Sequence, residues 1–256
     1  MIDLHSHILP DIDDGPEEIE ESIEMARIAF SDGIRAMVAT PHTLNSVYIN
    51  RYAKILHHVE GLRDELAREK IGLEIYPGAD VHLCVGLFEK VRDQDAATIG
   101  GKGKYMLVEF PHQSIPDWHG SELFKLKING ITPIITHPER NSVFQQQETY
   151  ASELIRMGCL LQITAMSITG DFGREAMECA HRLLINRQAH VIASDAHSSG
   201  NRPPILSQAV GIAARILESE KEAQEMVIQR PRAILAGLPV EVPAAREAGR
   251  RKWWFW

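Results

Sequence analysis

The chain has 256 residues, of which 44% are hydrophobic and 24% charged, and its formal net charge at pH 7 is −8. This length fits one large domain of the size of an α/β barrel, and the negative charge argues against general nucleic-acid binding. No apolar run reaches the ~18 residues of a membrane-spanning helix, and the first residues enter a predicted strand without a basic and apolar signal peptide.

The first predicted element is a short strand at residues 2–4, which two histidines follow. Side chains two positions apart in an extended chain point the same way, so His5 and His7 can direct two imidazoles at one point. A turn-rich loop at residues 8–15 then carries the acids Asp11, Asp13 and Asp14. Imidazoles and carboxylates together suit Zn, Mn or Fe, although a lone His-x-His is more often a pair of surface histidines.

Apolar periodicity and turn residues predict six more strands, which alternate with helices along the chain. These strands are predicted at residues 34–39, 73–76, 105–108, 132–136, 159–163 and 190–193. The helices are predicted at residues 16–30, 48–70, 122–128, 149–157, 172–186, 204–217, 221–228 and 231–236. Residues 81–103 show no clear period, and the glycines at 100, 101 and 103 indicate a flexible turn that lacks the Walker pattern.

Polar residues recur directly after the predicted strands. They are His5, His7, His42, Asp80, Glu109, His137, Asp195 and His197. Strands that alternate with helices pair in parallel through right-handed crossovers, and a closed α/β barrel gathers all of its strand ends at one rim. An open, doubly wound sheet would instead spread them along a line, so the number of polar residues favours a closed barrel.

Four or more imidazoles with several carboxylates are enough ligands for more than one metal ion, and clustered acids repel one another without cations. Several divalent ions close together can hold the oxygens of a phosphate ester and turn a bridging water into hydroxide. This combination predicts phosphoester hydrolysis. The planar guanidinium of Arg140, directly after His137-Pro138-Glu139, can clamp a phosphate with two hydrogen bonds, and Arg202 is a second candidate.

Other residues have plainer interpretations. Taken alone, His42 is typical of a loop histidine, and Glu109 suits a helix cap or an ion pair as well as a ligand. Two histidines, His57 and His58, fall in the middle of a predicted helix and are expected to face solvent. Five more histidines lack a comparable setting: His82, His112, His119, His181 and His190. Of these, His119 is a candidate for the mouth of the site.

The three cysteines, Cys84, Cys159 and Cys179, are an odd and sparse set without paired zinc spacing. They are expected to be buried thiols in a reducing cytosol. None of them begins the Cys-x5-Arg loop with which thiol phosphatases bind phosphate.

Several motifs together resemble the polymerase-and-histidinol-phosphatase (PHP) family: Asp-Leu-His-Ser-His, Asp-Asp-Gly, Ala-Thr-Pro-His, Glu-Phe-Pro, Thr-His-Pro-Glu-Arg, Gln-Ile-Thr and Ala-Ser-Asp-Ala-His. Within that family the chain is similar to the bacterial manganese-dependent protein-tyrosine phosphatases of the CpsB/YwqE type, over residues 1–238. The resemblance implies a distorted seven-stranded β/α barrel. It also implies three divalent ions, usually Mn²⁺ with Fe or Zn as alternatives, and hydrolysis of phosphotyrosine.

The resemblance assigns the ligands motif by motif. His5, His7 and Asp195 would hold the first ion, Glu109 and His137 the second, and Asp14, His42 and His197 the third. The family usually has glutamate as a shared ligand where this chain has Asp80, whose side chain is one methylene shorter. The phosphate-binding arginine of the family corresponds to Arg140, and Arg202 is a weaker counterpart.

In the mechanism that follows, a metal-bridging hydroxide attacks phosphorus in line, and no phosphoenzyme forms. The metals and Arg140 stabilise the transferring group, and His42 or another residue at the rim assists. The implied substrate is a bacterial tyrosine autokinase that carries a C-terminal tyrosine cluster and controls capsule and exopolysaccharide synthesis and export. One alternative is a small-molecule phosphoesterase of the histidinol-phosphatase kind. The other is a non-catalytic, metal-stabilised module, against which the near-complete ligand set argues.

The sequence divides into a barrel at residues 1–238 and a C-terminal tail at residues 239–256. The tail ends in basic residues followed by Trp253, Trp254, Phe255 and Trp256. Basic residues beside indoles suit an anionic bilayer surface, so a cytoplasmic protein with peripheral contact to the inner face of the membrane is one expectation. A tail that folds back on the barrel or contacts a second copy is the other.

Overall fold

The structure is a computed structural model that describes residues 1–245. Its nine strands are β1 (Ile2–Ser6), β2 (Ala36–Ala39), β3 (His42–Thr43), β4 (Glu74–Pro77), β5 (Asp80–His82), β6 (Tyr105–Glu109), β7 (Thr132–Thr136), β8 (Leu160–Thr164) and β9 (Val191–Ala193). Its helices are α1 (Ile19–Ser31), α2 (Tyr52–Arg68), α3 (Leu87–Arg92), α4 (His119–Ile128), α5 (Ser142–Gln146), α6 (Tyr150–Arg156), α7 (Ala165–Thr169), α8 (Arg174–Ile185), α9 (Ser207–Leu217), α10 (Glu220–Glu225) and α11 (Gln229–Leu235). Short 3-10 helices lie at Ile99–Gly101 and Pro138–Arg140.

All of the paired strands run parallel, which confirms the predicted mixed α/β fold. One sheet has the order β1-β2-β4, and the other has the order β3-β5-β6-β7-β8-β9. Two strands of the smaller sheet lead directly into strands of the larger one, β2 into β3 and β4 into β5. Proline has no N–H for a strand ladder, so Pro41 separates the first of these pairs. Gly78 separates the second, where a Cβ atom would lie 2.7 Å from Val38 Cγ1.

The chain that follows β9 lies beside the end of β1. Ser6 and Ala196 form a parallel bridge. On either side of it, Asp195 N donates to His5 O at 2.9 Å and His7 N donates to Ala196 O at 2.8 Å. These bonds bring the two predicted His/Asp segments, nearly two hundred positions apart in sequence, to the same end of the strands.

The interior has two apolar clusters. The larger lies between the strands and the surrounding helices, and α2 contributes to it through a stripe at three- and four-residue spacing, Ile55, Val59, Leu62 and Leu66. Full burial of each such side chain contributes about 1.5–3 kcal/mol. The smaller cluster takes residues from six different strands, among them Leu4, Val38, Leu107 and Ile134. The strands are therefore apolar on both faces, as parallel strands covered by helices are.

The predicted strand and helix boundaries differ from the structure by up to four residues, and five short strands and α-helices were missed, in addition to the two 3-10 helices. The missed elements are β3, β5, α3, α5 and α7, each of two to six residues, which is too short to show a period. The predicted first helix begins at Ile19 instead of residue 16, because Asp11 N donates to Pro16 O and keeps residues 16–18 in the preceding loop.

No helix among the described residues is both long and apolar enough to cross a membrane. The basic and aromatic end of the chain, including Trp253, Trp254, Phe255 and Trp256, lies outside the described residues, so the predictions for it stay predictions.

Candidate metal centre

The structure brings all nine predicted metal-ligating residues together in one cluster, on or directly after strands. His5 lies in β1, His42 in β3, Asp80 in β5 and Glu109 at the end of β6. The other five lie in the connections that follow the strands: His7, Asp14, His137, Asp195 and His197. Their nitrogen and oxygen atoms form one chain of contacts of 4.0 Å or less. Seven of the nine are buried, and Asp14 is the most exposed, at 48% of its side chain.

The first group surrounds Asp195. The Nε2 atoms of His5 and His7 lie 3.2 Å apart, and they lie 3.3 and 3.4 Å from Asp195 Oδ1. Asp80 Oδ2 lies 3.6 Å from the same His5 Nε2 atom. The backbone of Asp195 has a φ of +53°, in the left-handed region. The chain after β9 therefore turns sharply at Asp195, whose carboxylate faces His5 of β1.

The second and third groups share His42. Its Nδ1 atom lies 3.4 Å from Asp80 Oδ2 and 3.6 Å from Glu109 Oε2. Its Nε2 atom lies 3.6 Å from Asp14 Oδ1, which is also 3.5 Å from His197 Nε2. His137 Nε2 completes the second group at 3.6 Å from Glu109 Oε1. His42 therefore stands between two separate sets of carboxylates.

Two residues outside the predicted set hold the histidine rings in place. Asp13 Oδ2 lies 2.6 Å from His7 Nδ1 and also accepts from His42 N at 2.9 Å, while Gln162 Oε1 lies 2.9 Å from His5 Nδ1. Carboxylate and amide partners of this kind fix the tautomer and the orientation of metal-binding imidazoles. From the sequence alone, Asp13 is one acid of three in the loop, and the signal that could have singled it out is Gly15, two residues later. At Gly15 a Cβ atom would lie 2.2 Å from His7 O, so only glycine lets the loop pass this close to the backbone of His7.

Two histidines that sequence reasoning set aside also lie at the centre. His82 Nδ1 is 3.5 Å from Glu109 Oε2, and the ring of His112 stacks on that of His137 at 6.0 Å. His119, considered for the mouth of the site, instead donates from Nδ1 to Pro116 O and accepts at Nε2 from Tyr150 Oη.

Burial and neighbouring charges set the protonation states of the cluster. Burial alone would raise the pKa of Asp80 and of Asp195, but the surrounding imidazoles, His5 first, hold both well below the usual range. Burial lowers the pKa of His5, and burial together with His7 lowers that of His197 to about 2. Ionised carboxylates and neutral imidazoles are the forms in which these side chains bind metal ions.

His7 differs from these neutral imidazoles. Burial opposes its charged form, but the ion pair with Asp13 outweighs burial and raises the pKa of His7 to about 10.

The residues present fit divalent metal ions. Three sets of His, Asp and Glu side chains have ligand atoms within 4.8 Å of one another: His7, Asp14, His42 and His197; His5, His7 and Asp80; and His42, Asp80 and Glu109. Asp80 Oδ2 and His42 Nδ1 are buried without a hydrogen-bond partner, although an unpaired buried polar atom is costly. A cation between them would satisfy both atoms, and the mixed nitrogen and oxygen donors suit Mn, Fe or Zn.

The two predicted phosphate-binding arginines meet at Asp195. Arg140 Nη1 donates to Asp195 Oδ2 at 2.5 Å, and Arg202 Nη2 donates to the same oxygen at 2.7 Å. The side chain of Arg202 is 25% exposed, and that of Arg140 is 21% exposed. An open cleft of about 500 Å³ begins at Asp14, His197 and Arg202, and gives the centre access to solvent.

Residues 1–236 match the sequence model of the family described as "Capsular polysaccharide synthesis, CpsB/CapC". The chain is 34% identical over 255 residues to a putative tyrosine-protein phosphatase CapC of Staphylococcus aureus, which covers 100% of this chain and 99% of that protein. It is 35% identical over 202 residues to the tyrosine-protein phosphatase YwqE of Bacillus subtilis, with 79% of each chain covered. The CpsB tyrosine-protein phosphatase of Streptococcus pneumoniae is 34% identical over 242 residues, covering 92% of this chain and 98% of that protein.

The fold also matches solved structures. The fold superimposes with a TM-score of 0.91 and 31% identity on a crystal structure from a study of YwqE of Bacillus subtilis and CpsB of Streptococcus pneumoniae, described as unique metal-dependent tyrosine phosphatases, and covers 98% of this chain and 100% of that one. An organophosphorus hydrolase variant from Deinococcus radiodurans superimposes with a TM-score of 0.55 at 14% identity over 91% of this chain and 92% of that one, which is a likeness of fold alone.

Proposed function

The chain belongs to the CpsB/CapC family, and from this premise we propose that it is a metal-dependent protein-tyrosine phosphatase that acts in capsular or exopolysaccharide synthesis. The observation that carries the proposal is the convergence of His, Asp and Glu ligands with two arginines beside an open cleft. The similarity to tyrosine phosphatases of three bacteria, over 79–100% of this chain, supports it.

We propose that the three groups of the site bind three metal ions, and that the metal is Mn²⁺. His5, His7 and Asp195 would hold one ion, Glu109 and His137 a second, and Asp14, His42 and His197 a third, with Asp80 shared between the first two. The position of Asp80 supports this shared role, because its Oδ2 atom lies 3.6 Å from His5 Nε2, 3.4 Å from His42 Nδ1 and 3.9 Å from His137 Nε2. Bound divalent ions would lower the pKa of a water and neutralise phosphate oxygens.

The side chains of this protein would bind and orient the substrate. Arg140 and Arg202 present guanidinium donors at the edge of the centre, where charge-assisted hydrogen bonds can hold the phosphate oxygens. The leaving group is a phenolate whose conjugate acid has a pKa near 10, so the expulsion of tyrosine needs little help from a general acid. We propose that His42 assists in proton transfer at the rim, and its contacts with both carboxylate sets support this role.

A thiol mechanism is the usual alternative for tyrosine phosphatases, and the cysteines do not support one. Burial raises the pKa of Cys159 and of Cys179 to about 12, and it raises that of Cys84 as well. All three are therefore protonated at neutral pH, whereas a catalytic cysteine has a lowered pKa. The proposed reaction accordingly forms no phosphoenzyme on cysteine.

The proposed substrate is a tyrosine-phosphorylated bacterial tyrosine kinase that carries a cluster of tyrosines at its C terminus. Because kinases of this kind are membrane proteins, we propose that the phosphatase acts in the cytoplasm, at the inner face of the membrane. Contact through Trp253, Trp254, Phe255 and Trp256 would raise its local concentration there. Removing residues 250–256 should reduce co-sedimentation with anionic liposomes, and equal binding by both forms would exclude the anchoring role.

We also propose that residues 1–238 form one distorted, seven-stranded β/α barrel, followed by the tail at residues 239–256. The continuity of β2 with β3 and of β4 with β5 reduces nine strands to seven. The Ser6–Ala196 bridge and the small apolar cluster, which takes residues from six strands, support closure of the ring.

A substrate panel tests the proposed function directly. The Mn²⁺-loaded protein should hydrolyse a phosphotyrosine peptide and leave a phosphoserine peptide and histidinol phosphate largely intact. Treatment with a strong chelator should abolish hydrolysis, and Mn²⁺ should restore it. Preference for histidinol phosphate would replace the proposal with a small-molecule phosphoesterase, and activity that survives the chelator would contradict a metal mechanism.

A further inference from the structure

Phe172 lies in the turn between α7 and α8, and its ring contacts both arginines of the site. The guanidinium carbon of Arg140 lies 4.6 Å from the centre of the ring, and that of Arg202 lies 5.5 Å from it. Both distances are within the range of cation–π attraction, which is about 6 Å. One aromatic ring thus links two cations that arrive from distant parts of the chain.

The two arginines need a partner of this kind. Among the described residues, the hydrogen bonds of the Arg140 side chain go to Asp195 alone, and those of the Arg202 side chain go to the carboxylate and the carbonyl of Asp195. Two like charges that share one carboxylate oxygen repel each other. The negative face of an aromatic ring offsets this repulsion without using any of the N–H donors that a phosphate needs.

The turn that carries the ring is well defined. Gly173 N donates to Gly170 O at 3.0 Å, and Phe172 N donates to Met166 O at 3.4 Å, which ties the turn to α7. Gly170 and Gly173 have φ angles of +96° and +91°, a region that glycine enters without strain. The ring is therefore held against the arginines by backbone that is itself fixed on the scaffold.

We propose that Phe172 is a positioning residue that holds Arg140 and Arg202 as a single two-armed clamp for the phosphate group of the substrate. This inference rests on the proposed phosphatase function. The ring acts through the two guanidiniums, so it should govern the affinity for the phosphate group more than the rate of the chemical step. The phosphate group of the substrate then takes the place of the Asp195 carboxylate as the anion bound by a preformed pair of arginines.

The test compares Phe172→Leu, which keeps apolar bulk but removes the aromatic face, with Phe172→Tyr, which keeps the face. Phe124→Leu is the matched control, because Phe124 is 61% exposed on α4, outside the site. The binding of inorganic phosphate to the Mn²⁺-loaded full chain is measured by calorimetry. Metal content and steady-state kinetics with a phosphotyrosine peptide are measured on the same samples.

Phe172→Leu should weaken phosphate binding roughly tenfold, which is the expected loss for two cation–π contacts, and should raise KM with a smaller change in kcat. Phe172→Tyr and Phe124→Leu should stay within about twofold of the unsubstituted protein, with unchanged metal content. Unchanged phosphate binding by Phe172→Leu, or equal losses in the Leu and Tyr variants, would overturn the inference. A rise in KM for the peptide alone would also overturn it, because the ring would then contact the tyrosine of the substrate and not the clamp.

The failure of the phosphatase proposal would be seen separately, as a lack of peptide hydrolysis by the unsubstituted protein. The role of Phe172 in anion binding is read from the phosphate calorimetry, which does not depend on turnover.

Discussion

Asp13 Oδ2 lies 2.6 Å from His7 Nδ1, and both side chains are buried. With one proton held on Nδ1 by this hydrogen bond, Nε2, which faces His5 and Asp195, is the nitrogen of His7 that would bind a metal ion. Metal binding would displace the second proton, which Asp13 stabilises in the metal-free protein. The same carboxylate accepts from the backbone of His42 and of Gly15. One aspartate that is not itself a proposed ligand thus orients the loop and a ligating ring together.

Asp13→Asn should weaken Mn²⁺ binding by about 10- to 100-fold, the usual cost of losing such a carboxylate partner. The amide keeps the size of the side chain but removes the charge that holds the His7 ring. The measurement is a titration of metal-free protein with Mn²⁺, followed by activity and by bound metal. Asp11→Asn, in the same loop but exposed, is the control. Equal metal affinity in both variants would show that Asp13 only shapes the loop.

Asp80→Asn should lower kcat/KM by about a hundredfold or more, because removal of a shared carboxylate takes away several kcal/mol of charge stabilisation. The bound metal per chain should also fall. Asp80→Glu should retain metal, since glutamate keeps the carboxylate, with a cost of about 1–3 kcal/mol in stability for one extra buried methylene. Asp93→Asn, at an exposed position, is the control. Full metal content in Asp80→Asn would remove Asp80 from the ligand set.

Arg140→Ala should raise KM for a phosphotyrosine peptide and lower kcat, with a combined loss of about 10- to 100-fold, the value of one or two charge-assisted hydrogen bonds. Arg140→Lys should recover only part of this loss, because an ammonium cannot reproduce the planar pair of donors. Steady-state kinetics measure both effects. Arg174→Ala, on the exposed surface of α8, should change neither value. Kinetics of Arg140→Ala equal to those of the unsubstituted protein would exclude the phosphate-binding role.

His190 makes stability depend on pH away from the metal centre. It is 1% exposed, and its Nδ1 atom accepts from Leu161 N at 2.9 Å, so the folded protein needs the neutral ring. Burial, with Arg230, lowers the pKa of His190 to about 3, against 6.5 in the unfolded chain. The unfolded state therefore binds the proton first as the pH falls, and stability is lost from about pH 6.5 down to about pH 3.

The expected loss is up to about 1.4 kcal/mol per pH unit, or roughly 2 kcal/mol between pH 6.5 and 5. Urea unfolding of metal-free protein at pH 7.5 and 5.0 measures it. In His190→Asn the amide oxygen can still accept from Leu161 but does not titrate, so its free energy of unfolding should fall less on acidification. His57→Asn, at an exposed position, should behave like the unsubstituted protein. The same pH dependence in His190→Asn would show that other groups cause the acid sensitivity.

The sequence by itself determined the class of the fold and predicted the nine residues that lie together at the proposed metal centre. Long apolar periods, such as the stripe of α2, predict helices because burial repeats every three or four residues, and the strands between them have apolar residues on both faces. His5, His7, Asp195 and His197 were identified because ligand-type residues recur directly after strands, where parallel strands place their ends together. These features are local, so they can be read from the order of residues.

Only the tertiary structure decided which atoms of these residues meet. The sequence does not show that His42 presents one ring nitrogen to Asp80 and the other to Asp14, or that Arg140 and Arg202 share Asp195 beneath Phe172. It also left Asp13 as one acid among three, and it set aside His82 and His112, which lie against ligands of the centre. Most of these contacts join different strands and loops, and the centre as a whole joins residues as distant as His5 and Asp195. Their geometry is fixed by the register of the strands and the paths of the loops, which no local pattern of residues encodes.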